Sequence, residues 1–211
     1  ALSAGEDCEG PDLIYLPEVA FDIEDFLSRV KKLLEKKPFV IAAVSEGIRL
    51  EDGRYVCELT DGVDFVDAFG HKQLTGTANY LARRLSQEIG CKTRSIELSS
   101  LQRAASHLAS RIDILEAFQV GGAAVKAADE GDTGEMVILK RISDDPYQCT
   151  TELRNVHKVS NVEKTVPREW INKNGTYVTE EFISYVRPLI QGDVSPVMVD
   201  GIPRYLYHKK K

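Results

Sequence analysis

Apolar positions along this chain follow two rhythms in alternation. Between Asp12 and Glu18 they run almost unbroken and stop at Pro17, the pattern of a short strand buried on both faces. From Asp22 to Lys37 they recur as Ile23, Phe26, Leu27, Val30, Leu33 and Leu34, a stripe at helical spacing. Asp22 is placed to cap that helix, and Glu24 and Asp25 suit its positive end. Lys36, Lys37 and Pro38 close it. A second apolar run follows from Phe39 to Val44. Strand, helix and strand at this spacing predict a βαβ unit with parallel strands and a right-handed crossover.

The alternation continues. Glu51 to Phe69, punctuated by Gly53 and Gly62, predicts a hairpin or loop insertion. Gly76 to Gly90 is helical through Leu81, Leu85 and Ile89, with Gly90 as its stop. Lys92 to Leu98 predicts a strand closing a second βαβ unit, followed by a turn through Leu101, Gln102 and Arg103. A long helix spans Ala109 to Glu130. Strands over Glu135–Ile142 and Cys149–Val156 flank a turn at Asp144, Asp145 and Pro146 and predict a hairpin. A short helix at Val166–Asn172, a helix from Thr179 to Ile190 capped by Thr179, and terminal strands around Asp200 and Gly201 complete the series. The expected fold is α/β: βαβ units with a mostly parallel sheet flanked by helices.

Composition narrows the function. The chain has 211 residues, 43% of them hydrophobic, with a net charge of −6. A core is affordable, and a diffuse acidic surface disfavours nucleic acid as a partner. The basic run Lys209–Lys211 reads as a frayed tail. No apolar stretch nears the ~20 residues of a membrane span. Cys8, Cys57, Cys91 and Cys149 show no metal spacing, and widely spaced thiols with this much core fit a reduced, cytoplasmic protein. No G-x-x-x-x-G-K-[ST] loop is present, and Gly121 and Gly122 lie at the wrong place for a dinucleotide-binding turn.

Two arginines carry the sharpest chemistry. Arg94 lies on the expected strand and Arg103 in the turn after it. Ligands of open α/β sheets bind beyond the carboxyl ends of strands, and an arginine fork there suits a phosphate. The plainer alternative pairs Arg103 with a carboxylate such as Asp113 and leaves Arg94 on a surface. Glu46 ends a strand and precedes Gly47, which admits a sharp turn and a close ligand; alone, it reads more readily as a solvent-facing glutamate at a loop start. Asp144 and Asp145 are turn formers more than magnesium ligands. His107 reads as a helix-start or core residue, His71 and Lys72 as a solvated loop, and Trp170 as core.

The same residues resemble one family. Thr93-Arg94, Leu98, Gln102-Arg103 and the Gly122 to Val125 stretch stand in the order of the phosphofructokinase block T-R-x-x-x-L-G-x-x-Q-R-G-G and its following helix. The segment DLIYLPE from Asp12 to Glu18 resembles the family's I-x-x-P-E strand, and IAAVSEG from Ile41 to Gly47 its V-x-x-x-E-G strand. The departures are Ser99 and Ser100, where common members have glycine and histidine, and Ala104 and Ala105, where paired glycines are usual. They place the chain nearest the pyrophosphate-dependent branch.

The resemblance implies transfer of a phosphoryl group from pyrophosphate to the 1-hydroxyl of fructose 6-phosphate, a step of glycolysis. An ATP-dependent enzyme and a non-catalytic sugar-phosphate-binding subunit of the same fold are the alternatives. It implies that Glu46 accepts from sugar hydroxyls, that Arg103 grips phosphate, and that Arg94 reaches a neighbouring subunit's sugar phosphate in a homo-oligomer. Ser100 stands where a histidine would donate to phosphate. The family's G-G-D-x-S loop, its T-I-D-N-D-like segment with the catalytic aspartate, and its M-G-R-x-x-G-W segment are not found in these 211 residues. The expectation is therefore a C-terminal portion of a longer polypeptide, with no catalytic base or metal ligand of its own. Magnesium would be held by the donor phosphates and an N-terminal half. Residues 1–108 would bind fructose 6-phosphate, and residues 109–211 would complete a two-domain fold.

Overall fold

The structure is a computed structural model that describes residues 1–2, 10–59 and 75–204. Cys8, His71, Lys72, the terminal lysines and residues 60–69 of the expected insertion lie outside the described residues. Two compact units emerge. The first joins Ala1–Leu98 with Thr165–Ile183, and the second joins Ser99–Lys164 with Ser184–Lys211.

In the first unit, β1 (Leu13–Tyr15) and β2 (Ala42–Val44) pair in parallel, with Ile14 opposite Ala43. The helix between them, α1 (Ile23–Leu34), starts where its sequence says: the Asp22 carboxylate accepts from the Asp25 amide at 3.0 Å. Its stripe delivers Phe26, Leu27 and Val30 into a core with Leu13, Tyr15, Phe21, Ile48, Val56 and Leu81. Tyr15 meets Phe21 and Phe26 edge-on at 4.9 and 5.6 Å between ring centroids, the geometry that aromatic quadrupoles favour. The helix α2 (Thr77–Ile89) ends on Gly90 at φ 73°, a left-handed conformation that costs glycine nothing. Residues 56–59 form a single 3-10 turn.

The 165–183 segment is fastened to the same unit. The Val166 amide donates to the Glu18 carboxylate at 2.8 Å and Ile14 N–H to the Thr176 carbonyl at 2.8 Å. Gly175, at φ 69°, lies so close to Val19 that a Cβ there would come within 2.6 Å of its side chain. The expected short helix at Val166–Asn172 is one 3-10 turn, Arg168–Trp170, preceded by Pro167. Trp170 is half-buried and meets Phe182 edge-on.

The second unit contains α3 (Ser99–Ala104), α4 (Arg111–Asp129) and an antiparallel hairpin of β3 (Glu135–Asp144) and β4 (Tyr147–Asn155). The Ser110 hydroxyl caps α4 by accepting from the Asp113 amide at 3.0 Å, and it donates to the Leu189 carbonyl at 2.6 Å. The Tyr147 hydroxyl bonds Glu116, laying α4 on the hairpin. Asp144 pairs with Arg141 at 2.7 Å, in keeping with turn chemistry. The last expected helix is α5 (Glu180–Val186) continued by a 3-10 turn to Ile190, and β5 (Met198–Val199) pairs with β6 (Ile202–Pro203).

One expected element differs. Lys92–Leu98 carries no strand, and among the described residues it pairs with none, so the second βαβ unit is not closed by pairing. Its odd-numbered residues are half-buried and its even-numbered ones exposed. The buried row is pinned by side chains: Thr93 donates to the Ala82 carbonyl at 3.0 Å, Ser95 to Asn79 at 2.5 Å, and Asn79 to Glu97 at 3.5 Å. The expected strand is therefore replaced by an irregular segment held on α2 by side chains.

Candidate functional site

Glu46 stands in the turn just beyond the carboxyl end of β2, and its side chain is exposed. That turn is held from below. The Thr77 hydroxyl, buried to 1% exposure at the start of α2, donates to the Glu46 carbonyl at 3.3 Å. The Gly47 amide donates to the Ser45 hydroxyl at 3.2 Å.

Arg94 belongs to the exposed row of segment 92–98. Its neighbours Thr93 and Ser95 are anchored on α2, so α2 supports both Glu46 and Arg94. Thr77 and Asn79, which do the anchoring, were not singled out in the sequence. Thr77 follows a helix-starting glycine, and that signal alone marks it.

Ser100 and Arg103 lie on α3 in the second unit, both exposed. The expected turn at Leu101–Arg103 is this short helix. It sets the two side chains three residues apart, which makes them neighbours on one helical face. Arg103 has no ion pair with Asp113: among the described residues Glu46, Arg94 and Arg103 make no side-chain hydrogen bond or salt bridge. Exposed guanidinium groups without carboxylate partners keep all five donors for an anion.

Ser99 sits at φ 41°, in the left-handed region that glycine enters freely. The serine therefore retains a backbone conformation suited to glycine while adding a Cβ. His107 is exposed in a 3-10 turn, Ser106–Leu108. Cys57 is buried and free, and burial pushes its thiol up; Cys91 and Cys149 are half-buried and free. Among the described residues no three His, Cys, Asp or Glu gather to hold a metal, and no helix is long and apolar enough to cross a membrane.

Comparison with known proteins bears on the same residues. The phosphofructokinase family profile matches residues 1–128. A pyrophosphate–fructose 6-phosphate 1-phosphotransferase from Halomonas elongata is 39% identical over 97% of this chain and 48% of its own length. One of the same name from Xanthomonas campestris is 38% identical over 98% of this chain and 50% of its own. The solved pyrophosphate-dependent phosphofructokinase from Marinobacter aquaeolei superposes with a TM-score of 0.77 at 31% identity, covering 99% of this chain and 49% of that one. The Nitrosospira multiformis structure gives 0.78 at 32%, covering 97% and 47%. The chain spans about half the length of the relatives it matches. With the family profile spanning more than half of it and the solved folds superposing along nearly all of it, the chain belongs to the phosphofructokinase family.

Proposed function

We propose that this chain is the sugar-phosphate-gripping part of a pyrophosphate-dependent 6-phosphofructokinase. The observation that carries the reading is the 39% identity to a relative of that name along 97% of the chain. In the reaction, the 1-hydroxyl oxygen of fructose 6-phosphate attacks a phosphorus of pyrophosphate. The bridging P–O bond breaks, orthophosphate leaves, and the hydroxyl proton passes to a base. Such transfer depends mainly on positioning and charge stabilisation.

This chain's part is the acceptor grip. Glu46 accepts from sugar hydroxyls, Arg103 and Arg94 hold phosphate, and Ser100 adds a weaker donor beside Arg103. Arg94 serves the neighbouring subunit of a homo-oligomer. Residues 1–108 contain this grip, and residues 109–211 complete the two-domain fold. The base and the donor loop belong to an N-terminal half of the same polypeptide. Magnesium would supply charge neutralisation at the donor phosphates, held by those phosphates and the N-terminal half. The setting is the cytoplasm, without nucleic acid or membrane.

The test is an assay of the full-length polypeptide for fructose 6-phosphate phosphorylation with pyrophosphate and ATP as alternative donors. Turnover with pyrophosphate alone is expected, and the 211-residue chain alone is expected to be silent. Turnover with ATP alone overturns the donor; turnover with neither, in a folded protein, overturns the reaction.

A further inference from the structure

Arg94 stands between two anchored neighbours. Thr93 donates to the Ala82 carbonyl at 3.0 Å, and Ser95 donates to the Asn79 Oδ1 at 2.5 Å. Further along, the Glu97 carboxylate accepts from the Asn79 Nδ2 at 3.5 Å. Thr93, Ser95 and Glu97 are half-buried, in alternation with exposed Lys92, Arg94, Ile96 and Leu98. Asn79 and Ala82 are neighbours on one face of α2. Thr77 lies on another face, buried beneath the Glu46 turn.

An amide side chain can accept from a hydroxyl and donate to a carboxylate at the same time, and Asn79 does both. The second bond matters for charge as well as for anchorage. Glu97 is the only acidic residue between Glu88 and Asp113 in the sequence, and it follows Arg94 closely. A carboxylate free to swing toward that guanidinium would neutralise it and compete with a phosphate for its donors. In the structure the carboxylate is turned to Asn79, and among the described residues Arg94 makes no salt bridge. Ordering the backbone around Arg94 in advance also removes from the binding step an entropy cost that a loose segment would carry.

We propose that Asn79 is a positioning residue for Arg94. By holding Ser95 and Glu97 on α2 it sets the aim of the guanidinium and keeps the neighbouring carboxylate off it, so that the arginine meets a phosphate unpaired. Asn79 acts through these two partners and is not itself a ligand. The inference rests on the reading of Arg94 as a ligand of the sugar phosphate, and is independent of the phosphoryl donor.

Steady-state kinetics of the full-length polypeptide with fructose 6-phosphate test it. Asn79 is exposed, so replacing it should leave the protein folded. Asn79→Ala should raise KM for fructose 6-phosphate about three- to tenfold and change kcat by less than about twofold. Asn79→Asp keeps the bond from Ser95 but sets a carboxylate against Glu97, and should have the same effect. Adding Glu97→Gln to Asn79→Asp restores a donor opposite the new acceptor, and this reversed pair should bring KM back to within about twofold of its original value. Where Arg94→Ala is already present, Asn79→Ala should add nothing to KM. With Arg94→Ala itself raising KM, four results would each overturn the inference and leave the role of Arg94 standing: an unchanged KM in Asn79→Ala, no recovery in the reversed pair, a fall in kcat as large as the rise in KM, or a loss that adds in full to that of Arg94→Ala. An unchanged KM in Arg94→Ala, or a folded polypeptide without turnover, would overturn the reading of Arg94 and this inference with it.

Discussion

The Thr77 hydroxyl reaches across from the first residue of α2 to the backbone carbonyl of Glu46, at 3.3 Å. The bond ties the turn bearing the candidate sugar ligand to a helix whose other side is in the core. Thr77→Val keeps the shape and removes the donor. A net hydrogen bond contributes about 0.5–1.5 kcal/mol, so chemical denaturation should register a loss of that size. In the full-length protein KM for fructose 6-phosphate should rise several-fold with kcat changed less, because Glu46 loses its fixed position and not its charge.

Ser99 at φ 41° predicts a gain from substitution. A non-glycine residue in the left-handed region carries about 1 kcal/mol of strain or more. Ser99→Gly should raise stability by up to about 1 kcal/mol, the greater freedom of glycine in the unfolded chain offsetting part of the relief. The melting temperature of the purified chain reads this directly.

Tyr15 is 6% exposed and its hydroxyl has no hydrogen-bond partner among the described residues. Burial, with a smaller push from Asp25, raises its pKa to about 12 from an ordinary 10.0. A raised folded pKa means that the unfolded state loses its proton first. The contribution of this group is complete below pH 10 and disappears as pH climbs toward 12. Tyr15→Phe should flatten the decline in stability over that interval. Removing an unpaired buried hydroxyl should also stabilise by about 1 kcal/mol at neutral pH. Denaturation midpoints at pH 7 and across pH 10 to 12 check both halves.

The residues that were legible in the sequence share a trait: their signals are local. The Asp22 cap, the Gly90 stop and the hairpin turn after Asp144 each depend on backbone groups within a few positions, and each appears where it was expected. Long-range pairing is different. Lys92–Leu98 has the alternation of a strand, but a ladder is a property of two segments, and α2 satisfies its buried row through side chains instead. The turn after it became α3 because Ser99–Ala104 holds no proline or glycine to stop a helix from closing. The roles of Thr77 and Asn79 were invisible for the same reason: their partners are distant in sequence, 31 residues away for Thr77. Glu46, Arg94, Ser100 and Arg103 were suggested by residue type and by family blocks. What the structure adds is that these side chains are exposed and that, among the described residues, Arg103 is not paired with Asp113.

Steady-state kinetics of Arg94→Ala and Arg103→Ala in the full-length polypeptide test the proposed acceptor grip most directly. Both side chains are exposed and unpaired among the described residues, so stability should move by no more than about 0.5 kcal/mol. A charged hydrogen bond to phosphate is worth about 1.5–3 kcal/mol, which predicts KM for fructose 6-phosphate raised by about 10- to 100-fold in each variant, with KM for pyrophosphate nearly unchanged. An unchanged KM for the sugar phosphate, or a rise confined to pyrophosphate, would contradict the assignment of this chain to the acceptor side.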